Sequence, residues 1–488
     1  MKNKNNLAIF TLILSQFLLA PLTYAQVSAD PTMQNLENIS PTPNIPHSTP
    51  QEISTPNVTS DTTTQPEVLG LQTPAVPPII TAIKNAKVLL SSVTLNHALS
   101  PVYKKNTKTL LRYNLGDKDI ALAILDPATN NTIVTMGRLN GKKMVFPDPA
   151  VDVKLTKFNG VNSKFQVNVP ANGTVVALKY LLSKTESGSR AAIERGLSEA
   201  LYVPSSPALG QPDVIAYGQK YLDSIIAKVV KDLYGLPSQA IPGVTVTEAI
   251  PPAMIKSLVY AEHTDTGSVM NGNAQGALDS LNIIFATNEG DAYKYSVSND
   301  GFASRGIAQF VKSTYDSLVN RHPEAFLMQD YVLGMEDHQN SIKAMYLLLD
   351  DYAGAVRVKA ADGFVASRVF DYGAASYNAG TSRVAAAVKN YGSNWSADRS
   401  GQINALQGQV TSYKRQVTSL KAQIKKTSDA KAKASLQSQL ATANANLAAS
   451  TDELSTMQAS TLRNATVNYL TKIYKVIQYF NEQHLAMN

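Results

Sequence analysis

A carboxyl group at the end of an apolar helix can lend a proton and take it back, and two positions in the C-terminal half offer that arrangement. Pro251 and Pro252 open a stretch in which Met254, Ile255, Leu258 and Val259 recur at helical spacing, and Glu262 stands near its end. Glu289 is the second candidate, with Gly290 behind it as a helix stop. One such group serves both halves of a proton transfer if apolar neighbours such as Val259 and Phe310 penalise its anion and raise its pKa. Downstream, Gly306-Ile307-Ala308-Gln309 combines a residue suited to close backbone approach with an amide that both donates and accepts. The chain has no Cys, which excludes disulfides, thiolate metal sites and Cys nucleophiles. His263, His322 and His338 read as surface or cap residues and form no metal spacing, so neither metal nor organic cofactor is expected.

The elements that must position these residues form an ordered series. The helix Pro251–His263 comes first. Then follow Tyr295-Ser296-Val297-Ser298 and the block Ser304–Tyr315, the segment Asp337–Leu347, the hexapeptide Ala375-Ser376-Tyr377-Asn378-Ala379-Gly380, and Ala465-Thr466-Val467-Asn468-Tyr469. In this order the pieces resemble the lytic transglycosylase and goose-type lysozyme superfamily, whose members cleave the glycan strands of peptidoglycan. The resemblance covers about 250–395 and 461–480. It implies a mainly α lysozyme-like domain in which Glu262 is the acid and Ser298, Gln309, Tyr377, Asn378 and Tyr469 bind the glycan. Two positions depart from the family pattern: His263 stands where Ser usually follows the acid, and Ala465 replaces a Glu. Spacing leaves Glu289 open as the alternative acid, because it precedes Gln309 by 20 positions, as in the family, whereas Glu262 precedes it by 47. An insertion containing a short helix over Gly276–Ala286 reconciles the longer spacing with Glu262.

The resemblance further implies a 1,6-anhydro product, formed when the sugar's own 6-hydroxyl attacks a centre stabilised by the muramic 2-acetamido group. No second acid is spaced for a two-carboxylate mechanism, which suits this substrate-assisted route. The alternatives are a hydrolase using water and a non-catalytic wall-binding scaffold.

The remainder of the 488-residue chain divides by composition into a multidomain layout. Residues 1–25 read as a signal peptide, with Lys2 and Lys4 before the apolar run Leu7–Ala20, so export to the periplasm or beyond is expected and no membrane span in the mature chain. Residues 26–80 read as a disordered Pro/Thr-rich tether, with ten prolines between Pro31 and Pro78. Short apolar runs and the turn Asn140-Gly141 mark 86–186 as a β-rich accessory domain, a small sandwich or barrel, with Val88–Val93 among its strands. Helices are expected at Arg190–Leu201 and Asp213–Tyr234, opening a catalytic domain over 187–399 that is completed by 461–488.

Between these two parts, 400–460 carries Ile403, Leu406, Val410, Tyr413, Val417, Leu420 and Ile424 at alternating steps of three and four. Leu436, Leu440, Leu447 and Leu454 continue the period after a polar break, so the stretch should form an antiparallel coiled-coil hairpin. An intermolecular coiled coil is the competing arrangement, and either suggests a protein partner such as an envelope assembly. The net charge of +7 is spread along the chain, which argues against a nucleic-acid surface and suits an anionic polymer.

Overall fold

The computed structural model describes residues 76–298 and 303–487. The expected signal peptide and nearly all of the expected tether lie outside the described residues. A β-sheet region is followed by a mainly helical one.

The sheet region begins earlier and ends later than 86–186. Pro78 starts a helix that runs to Ser91, and its buried residues Ile80, Ile83, Ala86 and Leu90 fall on one face. The expected strand Val88–Val93 is therefore mostly helix: the β-branched residues there obscured a helical apolar period that begins upstream. At the other end, the helix expected over Arg190–Leu201 stops at Gly196, and Leu197–Tyr202 is a strand paired with Thr174–Ser183. The open edge of that strand offers Leu197–Tyr202 a ladder partner, which outweighs the helical propensity of the segment.

All seven strands of the main sheet pair antiparallel. The long strand Leu110–Leu125 organises them. Its second half is flanked by Thr132–Asn140 and Thr174–Ser183, and its first half pairs with His97–Tyr103. Alternation along this strand sends Ala121 and Ala123 toward the helix Pro78–Ser91 and Ile120, Leu122 and Ile124 to the opposite face. There a separate hairpin, Asp152–Lys157 with Lys164–Val169, adds Val153, Phe165 and Val167. The result is an open sheet with a helix on one face and a hairpin on the other, in place of the expected small sandwich or barrel. The turn at Asn140-Gly141 is present, with Gly141 at φ +57°.

The helical region is built around His338–Lys359, which is buried on nearly every side, with Tyr346, Leu347 and Leu349 fully enclosed. Asp337 caps its start by accepting from the Asn340 N–H at 2.7 Å. Two helices, Pro212–Asp232 and Ala274–Asn288, join this region to the sheet, because Val214 and Ala286 belong to the core formed by the first helix and the sheet. The second replaces the shorter helix expected at Gly276–Ala286. Their backbones touch at Gly218, where a Cβ would stand 1.9 Å from the Asn282 carbonyl oxygen.

Helices Ser400–Lys426 and Ala430–Ser460 pack against each other across a three-residue turn capped by Asp429, whose carboxylate accepts from the Ala432 N–H at 2.7 Å. Every residue of the first expected seam is buried or half-buried, and Ala443 and Ser450 fill the positions between the leucines of the second. The pairing is thus within one chain. At its base, Arg383 of helix Thr381–Tyr391 donates to the Gln458 carbonyl at 2.9 Å and the Thr461 carbonyl at 3.2 Å.

Gly218→Ala forces these two connecting helices apart, and the expected cost is about 3 kcal/mol or more of unfolding free energy. Urea denaturation of parent and variant measures it; a loss below about 0.5 kcal/mol would show that the close approach carries no structural weight.

Candidate active site

Glu262 occupies the last turn of helix Pro252–His263, whose inner residues Ile255, Leu258, Val259 and Tyr260 are all buried. Pro251 sits at the N-cap, with backbone angles of −62° and 147°, one position before the helix begins. The helix Asn464–Met487 packs alongside, and Tyr469 donates its phenol hydrogen to Glu262 Oε1. One turn on, the buried Lys472 ammonium donates to the Thr264 carbonyl at 2.6 Å, just past the end of the acid helix. Burial raises the Glu262 carboxyl above its ordinary value, while the Tyr469 hydrogen bond and the Lys472 charge act in the opposite direction. Among the described residues the second carboxyl oxygen makes no hydrogen bond.

The contrast with Asp350 is instructive. That carboxylate is buried, where Glu262 is half-buried, and is likewise raised by desolvation, yet both oxygens are occupied: Ser238 and the Gln239 N–H each donate at 2.5 Å, and the Ala240 N–H at 3.3 Å. Asp350 ties down a loop. Glu262, by contrast, has one oxygen held by Tyr469.

The loop Arg305–Phe310 joins the acid helix to the helix Val369–Ala379. His263 hydrogen-bonds the Ile307 carbonyl through Nε2 at 2.8 Å and stacks on Tyr293 with ring centroids 3.7 Å apart. Burial pushes the His263 imidazole down to about 4, so it is neutral at physiological pH. From the other side Tyr377 donates to the Ala308 carbonyl, and its ring meets Phe310 edge-on at 6.0 Å. Burial raises the Tyr377 phenol well above its ordinary value, and the nearby Glu262 charge pushes it further the same way. Gly306 makes the loop possible: its φ is +70°, and a Cβ would stand 2.1 Å from the Met335 carbonyl oxygen.

Gln309 and Ser298 have local partners. Gln309 sits at φ +52° with Nε2 donating to the Gly306 carbonyl at 2.7 Å and Oε1 accepting from Ser304 at 3.3 Å. Its side chain therefore closes its own turn. The Ser298 hydroxyl accepts from the Ser304 N–H at 3.0 Å and holds the same loop. Asn378 accepts from Thr466 Oγ1 at 2.8 Å, which fastens the Tyr-Asn-Ala-Gly turn to the helix that carries Tyr469. Glu262, Tyr377, Asn378 and Tyr469 are thus linked through three adjoining helices and one loop.

Glu289 is elsewhere. It caps the helix Ala274–Asn288 at φ +46°, pairs with Lys84 of the first helix at 2.9 Å and accepts from Tyr217 at 2.8 Å. Those contacts join the sheet region to the helical one, and the neighbouring pair Lys87–Asp291 at 3.1 Å does the same.

Sequence reasoning missed Lys472 and Tyr293. Lys472 is three positions after Tyr469 on one helix and so shares its face. Tyr293 carried no local signal. A depression lined by Arg368, Asp371, Trp395, Leu470 and Tyr474 lies on a different face of the helix Asn464–Met487 and contains none of the site residues. Among the described residues no group of three His, Asp or Glu is arranged to hold a metal. No protein-family model, curated protein or solved structure matches the chain.

A raised carboxyl pKa has a definite sign in stability. The folded state holds the Glu262 proton more tightly than the unfolded chain, so stability falls as pH rises from the ordinary carboxyl value through the folded one. Glu262→Gln removes that loss. The variant should melt higher than the parent at pH 7, with the gain shrinking toward pH 4; a lower melting temperature at pH 7 would mean that the carboxylate is a net stabilising group.

Proposed function

We propose that the helical region is a lysozyme-like domain and that the protein is a peptidoglycan lytic transglycosylase, cleaving the β-1,4 bond between N-acetylmuramic acid and N-acetylglucosamine. The observation that carries this reading is the state of Glu262: a carboxyl raised by burial, oriented at one oxygen by Tyr469 and, among the described residues, without a hydrogen bond at the other. The ordered series of sequence pieces supports it as well, because segments more than 200 positions apart meet at Glu262 and at Thr264 just beyond it.

In the proposed reaction Glu262 enters protonated and gives its proton to the glycosidic oxygen as the bond to the anomeric carbon breaks. The muramic 2-acetamido oxygen stabilises the oxocarbenium-like centre. The 6-hydroxyl of the same sugar then attacks that carbon, and the Glu262 carboxylate takes the hydroxyl proton, which restores the acid and leaves a 1,6-anhydro end. One carboxyl group suffices because the nucleophile and the stabilising oxygen both belong to the substrate. Lys472 contributes when Glu262 is ionised, since a buried ammonium nearby offsets part of the anion's desolvation. Tyr377 and Asn378 act as positioning residues, one holding the loop at Ala308 and the other holding the helix of Tyr469. Neutral His263 adds no charge beside the acid, so the Ser-to-His departure leaves the carboxyl's protonation intact.

Incubation of purified sacculi with the protein, followed by mass spectrometry of the released muropeptides, tests the reading. The expected products end in 1,6-anhydro-N-acetylmuramic acid. Reducing ends would make the protein a hydrolase, and binding to sacculi without release of fragments would make it a scaffold; either result overturns the proposal.

A further inference from the structure

The helical hairpin has an uneven charge distribution that its own stability does not require. Lys421, Lys425, Lys426, Lys431 and Lys433 cluster around the turn at its tip, and Asp429 is the one acid among them. The shank is different: 401–413 and 434–451 contain no charged residue, and the acids Asp452 and Glu453 lie near the base. All five tip lysines are exposed, and among the described residues none forms an ion pair. At about 1.5 Å per residue, the helix Ser400–Lys426 holds this cluster roughly 40 Å from the hairpin base.

Two of these lysines oppose local physics. Lys425 and Lys426 end a helix, where cations are favoured, but Lys431 and Lys433 lie in the first turn of Ala430–Ser460, where the helix dipole repels them. Like charges facing one another across a three-residue turn add to that repulsion. Only the Asp429 cap offsets it.

We propose that the tip of this hairpin docks end-on against a membrane surface rich in anionic phospholipid. The sparsely charged shank, whose cations between base and tip are Lys414 and Arg415, decides between a surface and a strand. A polyanionic chain running along the rod would meet Gln, Ser, Thr and Ala for most of its length, whereas a planar array of headgroups meets only the end, where the cations are. Lysine fits diffuse charge: its ammonium is a compact point charge without the bidentate geometry of a guanidinium. No large exposed apolar side chain occurs in the hairpin, so attachment is electrostatic, superficial and sensitive to salt. This inference is independent of the chemistry proposed for Glu262.

Co-sedimentation of the full chain with vesicles of phosphatidylcholine alone and of phosphatidylcholine with 30% phosphatidylglycerol, in about 0.1 M salt, tests it. The anionic lipid is expected to increase binding, and that increase is expected to fall about a thousandfold or more when all five lysines are changed to Gln, at roughly fivefold per charge. It should also vanish at about 0.5 M salt. Helicity and melting temperature keep the test decisive: relief of repulsion at the tip should leave the quintuple variant as stable as the parent or more so, while K414Q/R415Q on the shank should bind like the parent. The proposal is overturned if anionic lipid gives the parent no increase, if the quintuple variant keeps that increase, or if the lysine-dependent binding occurs with purified sacculi and not with vesicles.

Discussion

The arrangement around Glu262 depends on one hydrogen bond, from the Tyr469 phenol to a carboxyl that burial would otherwise leave without a partner. Tyr469 lies 207 positions after Glu262, so the bond exists only when the intervening helices are in place. Lys472 reinforces it by clamping the Thr264 carbonyl, and Thr466 by clamping Asn378. The three side chains lie within two turns of one helix, so a single packed element sets the orientation of the acid, of the Tyr-Asn-Ala-Gly turn and of the cation that offsets the carboxylate. Geometry of this kind suits proton transfer, because a carboxyl fixed at one oxygen presents the other in a single direction.

The neighbouring loop shows the same economy of backbone contacts. Ile307 and Ala308 offer their carbonyls to His263 and Tyr377, one on each flanking helix, and Gly306 and Gln309 take positive φ values so that the loop can do so. Gln309 closes the turn, which makes the loop's shape an internal property of the block. The two carboxylates that compete in sequence therefore separate in space. Glu262 is surrounded by these contacts, whereas Glu289 belongs to the seam between the sheet and helical regions, where Lys84 and Tyr217 hold it.

Much of this was legible in the sequence where periodicity is strong. The helices Pro252–His263 and Pro212–Asp232 and both hairpin arms follow their apolar spacing, and the Asn140-Gly141 turn follows from its dipeptide. Short segments were not legible in the same way. Val88–Val93 has strand-forming residues but belongs to a helix nucleated upstream at Pro78, and Leu197–Tyr202 is a strand because another strand's edge is free to receive it. Neither fact is local. The same limit applies at the site: Tyr469 and Glu262 could be named separately, but Tyr293 and Lys472 enter only through packing, and the helix Ala274–Asn288 lies on the path from Glu262 to Gln309.

The central claim is that Glu262 alone carries the proton for cleavage. Turnover of purified sacculi by Glu262→Gln and Glu289→Gln, with both variants shown to be folded, measures it most directly. The account predicts that Glu262→Gln loses at least about a hundredfold in rate, the usual worth of a positioned general acid, while Glu289→Gln works at close to the parental rate. A parental rate for Glu262→Gln would contradict it.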